Sequence, residues 1–107
     1  MIEKIIKICS KICAGNIKIN DLWSKKHCFY LNNNELQVLL ITCDSKDYCK
    51  ISTIKGVLFI PLSEVDKAKL VVALNDVFEY SQVLAKECLD DLLNTETFKN
   101  NITDLDF

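Results

Sequence analysis

Residues 35–43 read Glu35-Leu36-Gln37-Val38-Leu39-Leu40-Ile41-Thr42-Cys43. Both alternate sets are apolar: Leu36, Val38 and Leu40 in one phase, Leu39 and Ile41 in the other. Side chains alternate across a strand, so a run apolar in both phases reads as a central strand covered on both faces. Shorter strand signals lie around it. Residues 27–31 are short and aromatic, and Asn32-Asn33-Asn34 makes a turn, because Asn tolerates left-handed backbone angles. Beyond a polar loop at 44–47, residues 48–54 alternate, with Lys50 and Ser52 opposed to Cys49, Ile51 and Thr53. Lys55-Gly56 forms a hairpin turn, and residues 57–62 are a further apolar strand. Pro61 cannot donate to a ladder, which places that strand at an edge or Pro61 at its end.

Helical patterns flank this core. Ile2, Ile5, Ile6, Cys9, Ile12 and Cys13 form one stripe, with Lys4, Lys7 and Lys11 on the opposite side. Gly15-Asn16 supplies a C-cap. Residues 16–26 are a connector, with Asp21 capping a short turn and Trp23 plugging the space between helix and sheet. Ser63 caps a second helix, with Glu64 and Asp66 in its first turn. Nothing breaks that helix before about residue 93, and 30 helical residues measure about 45 Å. Either it breaks near Ser81 or its end projects beyond a four-stranded sheet.

The expected architecture is α+β: a four-stranded antiparallel meander flanked by an N-terminal helix and a long C-terminal helix. Residues 1–94 form a single α-β-β-β-β-α domain, and 95–107 an acidic, loosely held tail with Phe98, Ile102, Leu105 and Phe107 as docking points. Because 35–43 is apolar in both phases, the two helices lie on opposite faces, or a second subunit covers one.

Composition narrows the chemistry. All thirteen cationic side chains are lysine, His27 is the single histidine, and Gly15 and Gly56 are the two glycines. Without Arg there is no bidentate fork for phosphate or carboxylate, and two isolated glycines build no phosphate cradle. Ile, Lys and Asn richness without Arg points to AT-biased coding, as in a low-GC microbe or its phage and mobile elements. No apolar run reaches bilayer-spanning length, and no uninterrupted secretory core opens the chain. The expectation is a cytoplasmic protein with reduced cysteines, no membrane contact and no cofactor.

Each candidate site has a plainer reading. Cys9, Cys13, His27 and Cys28 are a conceivable metal set, but the spacing matches no compact zinc knuckle, and Cys9 and Cys13 lie in an apolar stripe. A nucleophile activated by His27 would be Cys9, Cys43, Cys49 or Cys88, yet no oxyanion loop or orienting group accompanies them. The pairs Asp44/Asp47, Asp90/Asp91 and Asp104/Asp106 read as solvated. Charge is polarised: residues 1–34 carry six lysines against two acids, and 87–107 six acids against one lysine. Lys4, Lys7 and Lys11 offer a basic face for phosphates, but the acidic balance argues against nucleic acid as a partner.

The expected function is therefore non-enzymatic: an inhibitor, immunity-type or adaptor protein acting by surface contact with another protein. The alternatives are a small Cys-dependent or metal-binding regulator or enzyme, and a Lys-face nucleic-acid binder. The expected contact surface is the stripe Leu84, Cys88, Asp90, Asp91 and Leu92, which would also form a homodimer through the C-terminal helix.

Overall fold

The computed structural model describes residues 1–16, 22–32 and 35–94. The element order is α1 (Ile2–Cys13), β1 (Leu22–Lys25), β2 (Cys28–Leu31), β3 (Leu36–Cys43), β4 (Lys46–Thr53), β5 (Gly56–Pro61) and α2 (Glu64–Leu93). The strands form one antiparallel meander in the order β1-β2-β3-β4-β5. The fold is α+β as expected, with five strands where the sequence suggests four.

The additional strand is Leu22–Lys25, within the segment read as a connector. It pairs with β2 in the register Trp23–Tyr30 and Lys25–Cys28. The turn between them, Lys26-His27, holds His27 at φ 66°. His27 is thus a turn residue rather than the start of a strand. Trp23 is no plug: it is 47% exposed on the sheet surface away from the helices. Its ring lies 4.8 Å from that of Tyr30, and the Lys25 ammonium sits 4.9 Å above it.

The other turns follow local chemistry. Between β3 and β4, Asp44 and Ser45 both take left-handed angles, φ 52° and 64°. Two such residues give the right-handed strand twist that a two-residue hairpin needs. The 44–47 loop is therefore shorter than expected, and Lys46 already begins β4. The last hairpin turns through Ile54 and Lys55, and Gly56 opens β5.

The helix ends match their sequence signals. The Gly15 N–H donates to the Ile12 carbonyl at 3.1 Å and the Asn16 N–H to Lys11 at 3.0 Å. With Gly15 at φ 73°, this is the Schellman closure. At α2, the Ser63 hydroxyl accepts from the Asp66 N–H at 3.1 Å. No break occurs at Ser81, whose hydroxyl donates to the Phe78 carbonyl at 2.7 Å while the helix continues to Leu93. Residues 95–107, and with them the expected tail and its docking points, lie outside the described residues, as does Asp21.

The register sorts the side chains into two faces. Phe29, Leu31, Val38, Cys49 and Ile51 share one face and join Ile5, Cys9 and Ile12 of α1 and Leu70, Leu74 and Val77 of α2 in a single core. Both helices therefore cover the same face, and the expectation of helices on opposite faces is corrected. Each fully buried Leu, Val or Phe contributes about 1.5–3 kcal/mol relative to exposure. The main sheet contacts of α2 are with β1 and β2, while α1 packs against α2.

Candidate interaction surface

The outer face of the sheet carries Trp23, Tyr30, Leu39, Ile41, Tyr48 and Phe59, with no helix among the described residues over it. The central strand is thus apolar on a side that faces solvent. Its shielding comes from neighbouring long side chains. Leu39 and Ile41 are half-buried, and the Lys50 ammonium reaches to 5.9 Å over the Phe59 ring. Lysine stems laid over rings cover apolar area while their charges stay hydrated. Lys25, Lys46 and Lys50 lie on this face, and no carboxylate shares it within the paired strands.

The second surface is the far end of α2. Burial on this helix falls at Leu70, Ala73, Leu74 and Val77. Leu84 is half-buried, and every residue from Ala85 to Asn94 is exposed. The last third of the helix therefore runs past the body of the fold. Of the expected contact residues, Cys88, Asp90, Asp91 and Leu92 are exposed on this projection, and Leu84 sits where it leaves the core. Leu89, at 51% exposure, belongs to the same apolar stripe of the sequence, and Leu93 extends it. The last turn carries Asp90 and Asp91 and no basic residue. Carboxylates at a helix C-terminus oppose the helix dipole, at a cost of roughly 0.3–1 kcal/mol each.

A groove of about 740 Å³ runs between α1 and α2, lined by Ile6, Cys13, Ala68, Val72 and Asp76 among others. The expected basic face, Lys4, Lys7 and Lys11, lies exposed on α1.

The cysteine readings separate on geometry. Cys9 lies in the core beneath α1, whereas Cys28 pairs with Leu39 on the opposite face of the sheet. The set Cys9, Cys13, His27 and Cys28 therefore does not converge. Burial pushes the Cys9 thiol up to about 12, helped by repulsion from Cys13 and Cys49, and pushes Cys49 up to about 11. Burial also raises Cys13. These groups stay protonated, the reverse of what a nucleophile requires. Cys88 is exposed on the projecting end of α2 and, unlike Cys9 and Cys49, is no buried structural thiol. Among the described residues no His, Cys, Asp or Glu cluster of three or more could hold a metal ion, and no helix is long and apolar enough to cross a membrane.

Asp47 departs from its reading as a solvated partner of Asp44. Its carboxylate accepts from the Thr42 hydroxyl at 2.7 Å and meets the Lys67 ammonium at 3.2 Å, while its carbonyl accepts from the Leu62 N–H at 3.0 Å. It ties β3, β4, the end of β5 and the start of α2 together. Comparison with known proteins finds no family model, no curated protein and no solved structure that matches this chain.

Proposed function

We propose that this chain is a non-enzymatic protein-interaction protein, of the inhibitor or adaptor kind, that grips another protein with the projecting end of α2. The observation that carries this is the character of that end. Nine consecutive exposed residues, Ala85 to Leu93, continue the helix, with Leu89, Leu92 and Leu93 beside Glu87, Asp90 and Asp91. Its carboxylates are unfavourable where they stand, because they face the negative pole of their own helix. A partner groove with an apolar floor and a basic rim relieves both costs at once.

The test is the double variant Leu89→Glu/Leu92→Glu. Both positions are exposed, so the melting curve should match wild type to within a few degrees. A photo-crosslinker at position 89 should capture a discrete protein from the native cell with wild type, and the double variant should lose that partner in a pull-down. Retained capture by the double variant overturns the assignment. The sequence also suggests antiparallel pairing of two α2 ends in a homodimer. That arrangement has its own signature: the wild-type crosslink would join two copies, and the variant would run at half the mass.

A further inference from the structure

The hairpin register fixes which backbone groups of β5 are used within the chain. The Leu62 N–H donates to the Asp47 carbonyl, one step past the Tyr48–Pro61 pair. In an antiparallel ladder, hydrogen-bonded pairs alternate with non-bonded pairs. Gly56, Leu58 and Ile60 therefore turn their N–H and C=O groups toward β4. Val57, Phe59 and Pro61 turn theirs outward, and β5 is the last strand of the sheet among the described residues. Pro61 falls where the missing N–H removes no bond from the intrachain ladder.

Edge strands are usually guarded by a charge, a proline, a bulge, brevity or a covering element. The proline of β5, Pro61, guards only its last position and leaves the Val57 and Phe59 N–H groups open. The six residues of β5 carry no charge. Val57, Leu58 and Phe59 are 50%, 53% and 56% exposed, so among the described residues the strand is open on both faces as well as along its edge.

We propose that a second copy of this chain pairs with β5, antiparallel across a two-fold axis, and joins the two sheets into one. The segment is self-complementary in one register. Leu58 set against Leu58 of the second copy places Val57 opposite Phe59 and Phe59 opposite Val57. Those are the outward-turned residues, so four N–H···O=C bonds form and every outward donor on both strands is used. The two Leu58 side chains then meet as a close non-bonded pair on the helix-bearing face, and the Val57–Phe59 pairs meet on the outer face. A register centred on Phe59 would oppose Val57 to Pro61 and strand the Val57 carbonyl, because Pro61 has no N–H. The uncharged edge brings no like charges into opposition, as an isologous contact requires. This pairing is independent of partner binding at α2.

Light scattering at high micromolar concentration should give twice the chain mass. Leu58→Lys and Leu58→Glu, each at an exposed position, should both remain folded, and each should weaken dimerisation by on the order of a hundredfold. An equimolar mixture of the two should recover the dimer, since opposite charges then meet at the axis. In wild type, hydrogen exchange at the Val57 and Phe59 amides should slow as concentration rises, while Leu58 and Ile60 should be protected at all concentrations. That exchange measurement decides the matter even if a variant fails to fold. Monomeric wild type, an undiminished Leu58→Lys dimer, a mixture that stays monomeric, or concentration-independent exchange at Val57 and Phe59 would each overturn the pairing. A dimer abolished by Leu89→Glu/Leu92→Glu but not by Leu58→Lys would place the second copy on α2 instead. Leu58→Lys should keep the partner captured by α2, which separates the two proposals.

Discussion

Asp47 shows how one side chain fastens the start of α2 to the sheet. The Thr42 hydroxyl first, and then the Lys67 ammonium, hold its carboxyl below its ordinary value near 3.8. Its folded pKa is thus below its unfolded one. The resulting stabilisation is present at and above the unfolded value and is lost as pH falls through the folded value. Asp47→Asn should melt below wild type at pH 7, and the gap should close as the pH falls below the ordinary carboxylate value and through the lowered folded one. A gap that stays constant over the acid range would show that the carboxylate charge contributes nothing. The cysteines divide on the same physical basis. Alkylation of native protein at pH 8 should modify exposed Cys43 and Cys88 first, with Cys9 and Cys49 reacting only on unfolding. Fast native modification of Cys9 would contradict its burial beneath α1. The burial of Cys9 was legible from its place in the Ile2–Ile12 stripe. The Asp47 clamp was not, because Lys67 lies twenty residues away and only the packing of α2 brings it near.

At the level of elements, most boundaries could be read because local signals agreed with the final fold. Gly15 and Ser63 mark helix ends through backbone geometry and side-chain reach, and both act where expected. The strand Leu22–Lys25 was hidden for equally local reasons. It is four residues long, it runs into Lys25-Lys26, and its turn lacks Gly, Asn or Asp. A non-glycine residue held in a sparsely populated backbone region costs on the order of 1–3 kcal/mol and persists only where its surroundings impose it. At His27 the surroundings include the ladder to β2 and the Leu40 N–H, which donates to the His27 carbonyl at 3.0 Å. The both-phase apolar pattern of 35–43 correctly marked the centre of the sheet. It misled about the covering, because the outer phase shares its face with Tyr30, Tyr48, Phe59 and the stem of Lys50 and is half-buried with no helix among the described residues over it. The candidate contact at the end of α2 was partly legible, since a 30-residue helix is longer than the sheet it covers. The open β5 edge was not, because which amides turn outward depends on the register with β4.

Across the whole molecule, stability is concentrated at one end of a long body. The described residues span 54 × 27 × 23 Å, and α2 contributes core residues only from Leu70 to Val77. Leu74 is fully buried between α1 and the sheet, whereas Leu89 is half-exposed on the projection. The same chemical change at these two sites should therefore have very different effects. Leu74→Ala removes buried methyl groups and leaves a cavity, at a cost of about 2–5 kcal/mol. In a domain of this size that lowers Tm by roughly 10 °C or more. Leu89→Ala should stay within about 0.5 kcal/mol of wild type, as a surface change does. Hydrogen exchange should show the same division, with the turns from Leu70 to Val77 opening only with the whole fold and the turns beyond Leu84 opening locally. Equal destabilisation by the two substitutions, measured by denaturant melts at low concentration, would mean that the projecting end is part of the core. The small cost expected at Leu89 is what leaves that end available for a partner. Residues that contribute little to the isolated fold are free to be chosen for the contact they make.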